Sequence, residues 1–450
     1  MAPHEKRALS FPIALLLLSA LLFLSPRNKH AILPDVALDA SKQNRLLVIA
    51  PHCDDEILGA FGLMRRTLEN KGIVKVIIVT NRDVFTVAAK KNLGLVRPGP
   101  GDYLRLGRIR QAESLTALQR LGVMPTNIVF LGYPDKGLPF LWSDNWDGNK
   151  PYFNPFTKAS FSPYPNSYRQ NGTYTGLSMV ADLRELVINF QPTIVAYPHP
   201  DDQHPDHWGT YAFVKYALQS LTDQPSKELI YLIHYPGWPE PFGNYQDLPL
   251  NPPRSGMATA TTWSKLELAE SQLSQKEASL EKYTSQLGLL KKLLFSFLRK
   301  NELYGEFPRK RLALNRSEVV SVPDFSKVAP GKLLSLAVVN TGEKLIIRVK
   351  INGAIADGYA YHLDLTAFET DNPPERLVIS YKNHRFKTES RSSGTGPPLP
   401  GAGVRAYFNH ETNSIVGEVP LKNNRSLLLG AYVYDQNILI DKISWLSIYF

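Results

Sequence analysis

Short, almost wholly apolar runs alternate with helical periodicity through the first half of this chain, and that alternation restricts its folds more than any other feature. RLLVIA (Arg45–Ala50) and VKVIIVT (Val74–Thr80) read as strands, and NIVFLGYPD (Asn127–Asp135) and TIVAYPHPDD (Thr193–Asp202) as strands running into their loops. Between them lie three helical patterns. EILGAFGLMRRTLENKG (Glu56–Gly72) is closed by a glycine, LRLGRIRQAESLTALQRLGV (Leu104–Val123) carries apolar residues at three- and four-residue steps, and VADLRELVINFQP (Val180–Pro192) follows. Apolar strands separated by helices predict a mostly parallel, Rossmann-like α/β sheet with helices on both faces. Such sheets bind ligands beyond the carboxyl ends of their strands.

Two loops at those ends are unusually rich in metal-ligating groups. PHCDDE follows the strand ending at Ala50, and PHPDDQHPDHWGT (Pro198–Thr210) follows the strand ending at Tyr197. Adjacent carboxylates resist simultaneous ionisation, and a bound cation would offset that cost. Together the loops offer His52, Asp54, Asp55, Glu56, His199, Asp201, Asp202, His204, Asp206 and His207. Imidazole and carboxylate donors suit zinc, and ferrous iron and other divalent ions accept the same set. A carboxylate beside a metal-acidified water can take its proton, and a histidine opposite can protonate a leaving amine or stabilise an oxyanion. Taken alone, CDDE is a turn sequence, because Asp favours turn conformations. The conjunction of two such loops at two strand ends points to catalysis.

PHCDDE followed by HPDDQHPDH resembles the LmbE/PIG-L family of metal-dependent N-acetylglucosamine deacetylases, whose usual first motif places His-Pro-Asp-Asp-Glu after a small residue or proline. RQAE (Arg110–Glu113), GYPDKGL (Gly132–Leu138), YTSQ (Tyr283–Gln286) and FLRKNELY (Phe297–Tyr304) add to the likeness, which spans roughly residues 44–307. The resemblance implies that His52, Asp55 and His207 bind zinc, with another divalent metal such as Fe2+ as the alternative. It implies Asp54 as general base, His204 as acid or stabiliser of the tetrahedral intermediate, Asp206 as the group that orients an imidazole, and Arg110 as a substrate-binding arginine. The substrate implied is an N-acetylated amino sugar. Cys53 replaces the family's proline, which removes a stiff turn residue and places a thiol near the ligands; a thiol facing away from the metal is the expectation. The remaining loop residues take plainer readings: Glu56 as a first-turn residue favoured by the helix dipole, His199 and Asp201 as structural or as supports behind the ligands, Asp202 as either support or ligand, and His234 as a core or rim histidine with substrate contact as the alternative.

Beyond this region the pattern changes. Trp263–Phe307 reads as largely helical, a long helix packed on the sheet rather than the alternative coiled coil, because Lys276 interrupts its apolar stripe and Gly288 weakens its middle. From about Val319, KLIIRVKI (Lys344–Ile351), RLVISYK (Arg376–Lys382), GVRAYFN (Gly403–Asn409) and SLLLGAYVYD (Ser426–Asp435) read as strands, with Glu389–Gly403 as a loop. A C-terminal all-β, sandwich-like domain over 319–450 follows, beside a deacetylase-like domain over 44–310. The aromatic, Pro- and Gly-rich stretch between Arg97 and Asn171 reads as ordered loops shaping a pocket wall, or as a surface insertion. Trp142 and Trp146 within it are expected to pack rather than stack on a sugar.

At the N-terminus, HEKR precedes Ala8–Leu24, about 17 apolar residues, at the short end for a spanning helix. Residues 1–30 read as a membrane anchor with the catalytic domain extracytoplasmic, or as a cleaved signal peptide. The single cysteine excludes an intrachain disulfide and a CxxC zinc site. Net charge is +10, but no nucleic-acid module is present, so the basic stretches read as solvated faces. Oligomeric state is not encoded legibly. A carbohydrate-binding or scaffolding protein with a degenerate deacetylase site is the alternative function.

Overall fold

The computed structural model describes residues 33–38, 43–221, 225–254, 261–307, 309–322, 328–355, 358–368, 374–392, 403–421, 426–436 and 438–450. The chain divides into two compact units, Met1–Pro34 and Asp35–Phe450, and the second is described here. The apolar segment Ala8–Leu24 lies outside the described residues, among which no helix is long and apolar enough to cross a membrane.

A seven-stranded sheet carries β1 (Arg45–Ala50), β2 (Ile73–Thr80), β3 (Ile128–Tyr133), β4 (Ile194–Pro198), β5 (Lys227–Tyr231), β6 (Thr262–Glu267) and β7 (Asn301–Glu306). Its order is β3-β2-β1-β4-β5-β7-β6. β1 to β5 run parallel, and β7 and β6 close one edge antiparallel. The apolar strands are there because both faces are covered: every residue of β1 after Arg45 is buried. The strand order reverses between β1 and β4, so their following loops open at one crevice.

The helices are α1 (Asp55–Glu69), α2 (Thr86–Leu93), α3 (Pro100–Leu121), α4 (Leu138–Trp142), α5 (Gly176–Phe190), α6 (Pro205–Gln219), α7 (Glu270–Leu280) and α8 (Thr284–Phe295). Gly59 lets α1 lie close over β5, since a Cβ there would stand 2.4 Å from the Tyr231 ring. The Tyr231 hydroxyl in turn donates to the Ile49 carbonyl at 2.8 Å.

The expectation of one long helix over Trp263–Phe307 is corrected. The segment folds as strand, helix, helix, strand: β6, α7, α8 and β7. The chain turns at Glu281–Tyr283 because Tyr283 is drawn inward, its hydroxyl donating to Glu56 Oε1 at 2.6 Å. Lys276 interrupts the stripe because it is buried against Glu302 at 2.7 Å, and it also donates to the Leu58 carbonyl. At the end of α1, the left-handed residue is Lys71 rather than Gly72.

The C-terminal strands are β8 (Lys310–Arg311), β9 (Ser317–Ser321), β10 (Leu333–Asn340), β11 (Lys344–Ile351), β12 (Tyr359–Phe368), β13 (Glu375–Lys382), β14 (Arg385–Ser392), β15 (Arg405–Asn409), β16 (Ser414–Pro420), β17 (Ser426–Asp435) and β18 (Ile438–Tyr449). They form a five-stranded sheet, β15-β16-β11-β10-β9, and a six-stranded sheet, β14-β13-β12-β17-β18-β8. The sheets face each other over one apolar core that includes Leu336, Ile347, Leu363, Leu429 and Ile443, so the sandwich expectation matches. β14 takes the first residues of the expected loop Glu389–Gly403, and 393–402 lie outside the described residues.

The outer face of the six-stranded sheet is also buried. Phe368, Leu428, Tyr432, Tyr434 and Trp445 join the core of the α/β sheet, against Trp142, Trp208 and Phe213. Trp142 is fully buried and Trp146 is 2% exposed, which bears out packing. Between them lies the Arg376 guanidinium, 4.1 Å from the Trp142 ring and 4.5 Å from that of Trp146. Arg376 is bound to Asp364, which also accepts from Trp142 Nε1 at 3.0 Å.

Candidate active site

The two loops meet over one point. PHCDDE is the β1–α1 connection, and HPDH opens α6 behind β4, the neighbour of β1 in the sheet. His52 Nδ1 lies 3.1 Å from Asp55 Oδ2, His207 Nε2 lies 3.0 Å from the same oxygen, and the two ring nitrogens are 3.2 Å apart. Three donor atoms from three side chains thus form a triangle whose edges approach those of a tetrahedral zinc site, roughly 3.3 Å for metal–nitrogen bonds near 2.0 Å.

Each ring is oriented through its other nitrogen, as metal-binding imidazoles usually are. His207 Nδ1 faces Asp202 Oδ2 at 3.0 Å, and His52 Nε2 faces Asp206 Oδ2 at 3.4 Å. The Asp206 carboxylate is itself fixed by the Lys136 amide, at 2.7 Å, and the Leu138 amide, at 3.3 Å. Burial alone would lower the pKa of His207, but the Asp202 and Asp55 carboxylates push it up to about 10. Burial likewise opposes the charge on Asp55, yet His207 holds that carboxyl well below its usual range. The pocket therefore favours positive charge where the donors converge. A divalent cation fits this donor set and this field, and Asp55 Oδ1 is buried without a partner among the described residues.

Asp54 lies beside the triangle at φ 140°. The turn is held by its neighbours: Glu56 Oε2 accepts from the Asp54 amide at 2.9 Å, and Ile57 and Leu58 amides donate to its carbonyl. Glu56 is thus more than a first-turn residue. Its Oε1 also accepts from Ser114 at 2.7 Å and from Tyr283. Burial raises the Asp54 carboxyl to about 7, opposed by the Arg82 guanidinium at 3.2 Å from Oδ2. Its Oδ1 is buried and without a partner among the described residues.

His204 caps α6, its Nδ1 accepting from the Asp206 amide at 3.2 Å. Burial and the neighbouring His52 and His207 hold its pKa well below the ordinary value. The ring is therefore neutral with its proton on Nε2, a hydrogen-bond donor. Arg110 lies fully buried behind Arg82, Nη1 donating to the Arg82 carbonyl at 2.6 Å, with Nε and Nη2 unpartnered among the described residues. Cys53 enters no donor group. Burial and then the Glu56 charge push its thiol well up, and its carbonyl accepts from Gln286. His199 is turned away from the triangle onto Thr261, at 2.8 Å.

Three residues to which the sequence assigned no catalytic or metal-binding role stand in the site: Arg82, Asp135 of the GYPDKGL motif, and His234, read as a core or rim histidine. Arg82, at φ 50°, pairs with Asp54. Asp135 Oδ1 is 3.8 Å from His52 Nε2. His234 stands edge-on to His207 with ring centroids 4.7 Å apart, and its backbone amide donates to Asp202 Oδ2 at 3.0 Å. Burial and the neighbouring His207 pull its pKa down to about 3. Each follows the carboxyl end of β2, β3 or β5, which is the signal that would have found it.

No curated protein sequence matches the chain. Among solved structures, a deacetylase of the teicoplanin biosynthesis pathway is 18% identical, covering 58% of this chain and 97% of that one with a TM-score of 0.39. The N,N'-diacetylchitobiose deacetylase of Pyrococcus horikoshii is 16% identical, covering 67% and 94% with a TM-score of 0.35. A 4-carboxy-2-hydroxymuconate hydratase from Pseudomonas putida KT2440 is 14% identical, covering 59% and 97% with a TM-score of 0.34. At such scores the assignment rests on the family comparison, in which residues 47–218 match the family described as PIG-L: GlcNAc-PI de-N-acetylase. With both histidine and aspartate loops inside that span, residues 47–218 form a PIG-L (LmbE-like) family domain.

Proposed function

We propose that this chain is a metal-dependent hydrolase that removes the N-acetyl group from an N-acetylglucosamine-containing substrate, with zinc as the expected cation and ferrous iron as the alternative. The observation that carries the reading is the triangle of His52, Asp55 and His207 donor atoms with the Asp54 carboxylate beside it. The family description supports the amino-sugar substrate. A divalent cation held by those three residues would polarise the amide carbonyl and acidify a water molecule.

The chain's own groups supply the rest. Asp54 Oδ1, without a partner among the described residues, takes the proton from the attacking water. The neutral His204 donates from Nε2 to the oxygen on which negative charge develops. The water oxygen bonds to the amide carbon, the carbon–nitrogen bond breaks, the nitrogen takes up the proton that Asp54 had accepted, and acetate and a free amine leave. Asp206 holds His52 in place, and the unpartnered nitrogens of Arg110 serve a substrate hydroxyl. Ala8–Leu24 serves as a membrane anchor placing the catalytic domain outside the cytoplasm, a cleaved signal peptide being the alternative.

Metal analysis of the purified full chain, paired with acetate release from N-acetylglucosamine conjugates, tests this. Stoichiometric metal with acetate release is expected. Sugar binding with no acetate released from any metal-loaded preparation would favour the carbohydrate-binding or scaffolding alternative.

A further inference from the structure

A cleft of about 410 Å³ runs along the seam between the α/β sheet and the sandwich, within the size range of small-ligand sites, roughly 300–1,000 Å³. One wall is the loop before α6, with Asp201, Gln203 and Pro205; the other is the start of β18, with Leu439, Asp441 and Lys442. Gln203 and Pro205 flank His204 in the chain, so the loop that lines this cleft also carries a candidate active-site residue. The seam is pinned: Lys442 Nζ donates to the Asp202 carbonyl at 2.7 Å, and Ser444 Oγ to the Pro200 carbonyl at 3.0 Å. The β18 wall is thereby held in fixed register with the loop that carries His204 and His207.

We propose that this cleft is a second subsite, which binds a hydroxyl-rich sugar unit adjoining the one deacetylated; the inference rests on the de-N-acetylase reading above. Carboxylate, amide and phenol groups (Asp201, Asp441, Gln203 and Tyr235) suit a dense array of hydroxyls, and Leu439 offers an apolar surface to a sugar's C–H face. Charge is balanced along the cleft: Asp201 and Asp441 stand with Lys442, and Lys332 Nζ donates to the Ile440 carbonyl at 3.0 Å. With no net charge, the cleft suits a neutral sugar. The substrate class that fits is an extended, uncharged N-acetylglucosamine glycan, and the sandwich contributes to its recognition rather than acting as a separate module.

The test compares the metal-loaded full-length wild type with L439W, which fills the cleft, and D441N. Acetate release is measured on N-acetylglucosamine and on its β-1,4-linked tetramer. The wild type should favour the tetramer in kcat/KM by about tenfold or more, and both variants should bring that ratio towards one, through KM. A wild type without preference, or variants with an unchanged ratio, would overturn the subsite. If the wild type releases acetate from neither sugar, the de-N-acetylase reading fails separately. Calorimetric binding of the tetramer then decides the cleft by itself: binding weakened by L439W supports it, and equal or absent binding overturns it.

Discussion

Asp54 occupies a backbone conformation that non-glycine residues rarely adopt, at a cost of about 1–3 kcal/mol. Glu56 and the first turn of α1 hold it there, so the carboxylate's direction is fixed before any substrate arrives. Asp54→Asn should therefore lower kcat by about 10²–10⁴-fold while metal content, read by elemental analysis, stays at the wild-type level. His207→Ala should instead lose the metal, because it removes one corner of the donor triangle. His52, Asp54, Asp55, His204, Asp206 and His207 were legible because each stands in a dense run of ligating residues. Arg82 was not, being an ordinary polar residue in an ordinary loop; Asp135 stood without a role inside the GYPDKGL motif, and His234 read as a core or rim histidine. Only the sheet topology brings β2, β3 and β5 to the same edge and gives those residues a common address.

Helices were readable to the extent that one face of each is polar, and the sheet strands as short apolar runs between them. α6 escaped notice because Asp206–Gln219 is buried all round, leaving no stripe to detect. The opposite error occurred at Trp263–Phe307, where leucines at three- and four-residue steps suggested one continuous helix. Lys276 was the clue, a cation placed where the stripe required an apolar residue. It is now explained by Glu302 on β7, whose Oε2 also accepts from the Gly62 amide at 2.9 Å and from Tyr304 at 2.6 Å. Lys276→Met should leave that carboxylate buried without its partner and cost about 3–5 kcal/mol in chemical denaturation. Gly59→Ala should cost about 1–3 kcal/mol by the same measurement, because its methyl group meets the Tyr231 ring.

Across the whole molecule, the sandwich and the α/β sheet share apolar surface, a feature that strand patterns alone could not disclose. Deleting residues 319–450 would uncover Trp142, Trp208 and Phe213; the truncated chain should be insoluble or bind a hydrophobic dye strongly, whereas the full chain stays soluble. Lys442, in the seam, has its pKa pushed down to about 8, chiefly by burial. Its folded value lies below the ordinary lysine value near 10.5, so the unfolded chain binds more protons between the two. Stability of the wild type relative to Lys442→Met should therefore rise as pH passes from about 8 to 10.5, by at most about 3 kcal/mol, as read by denaturant midpoints. β17 shows what the shared surface entails. Leu427, Leu429, Ala431 and Val433 point into the sandwich, while Leu428, Tyr432 and Tyr434 point the other way. A single inserted codon in this strand would swap leucines for tyrosines on both sides together, so this stretch of the gene should tolerate substitutions of similar bulk but no change in length.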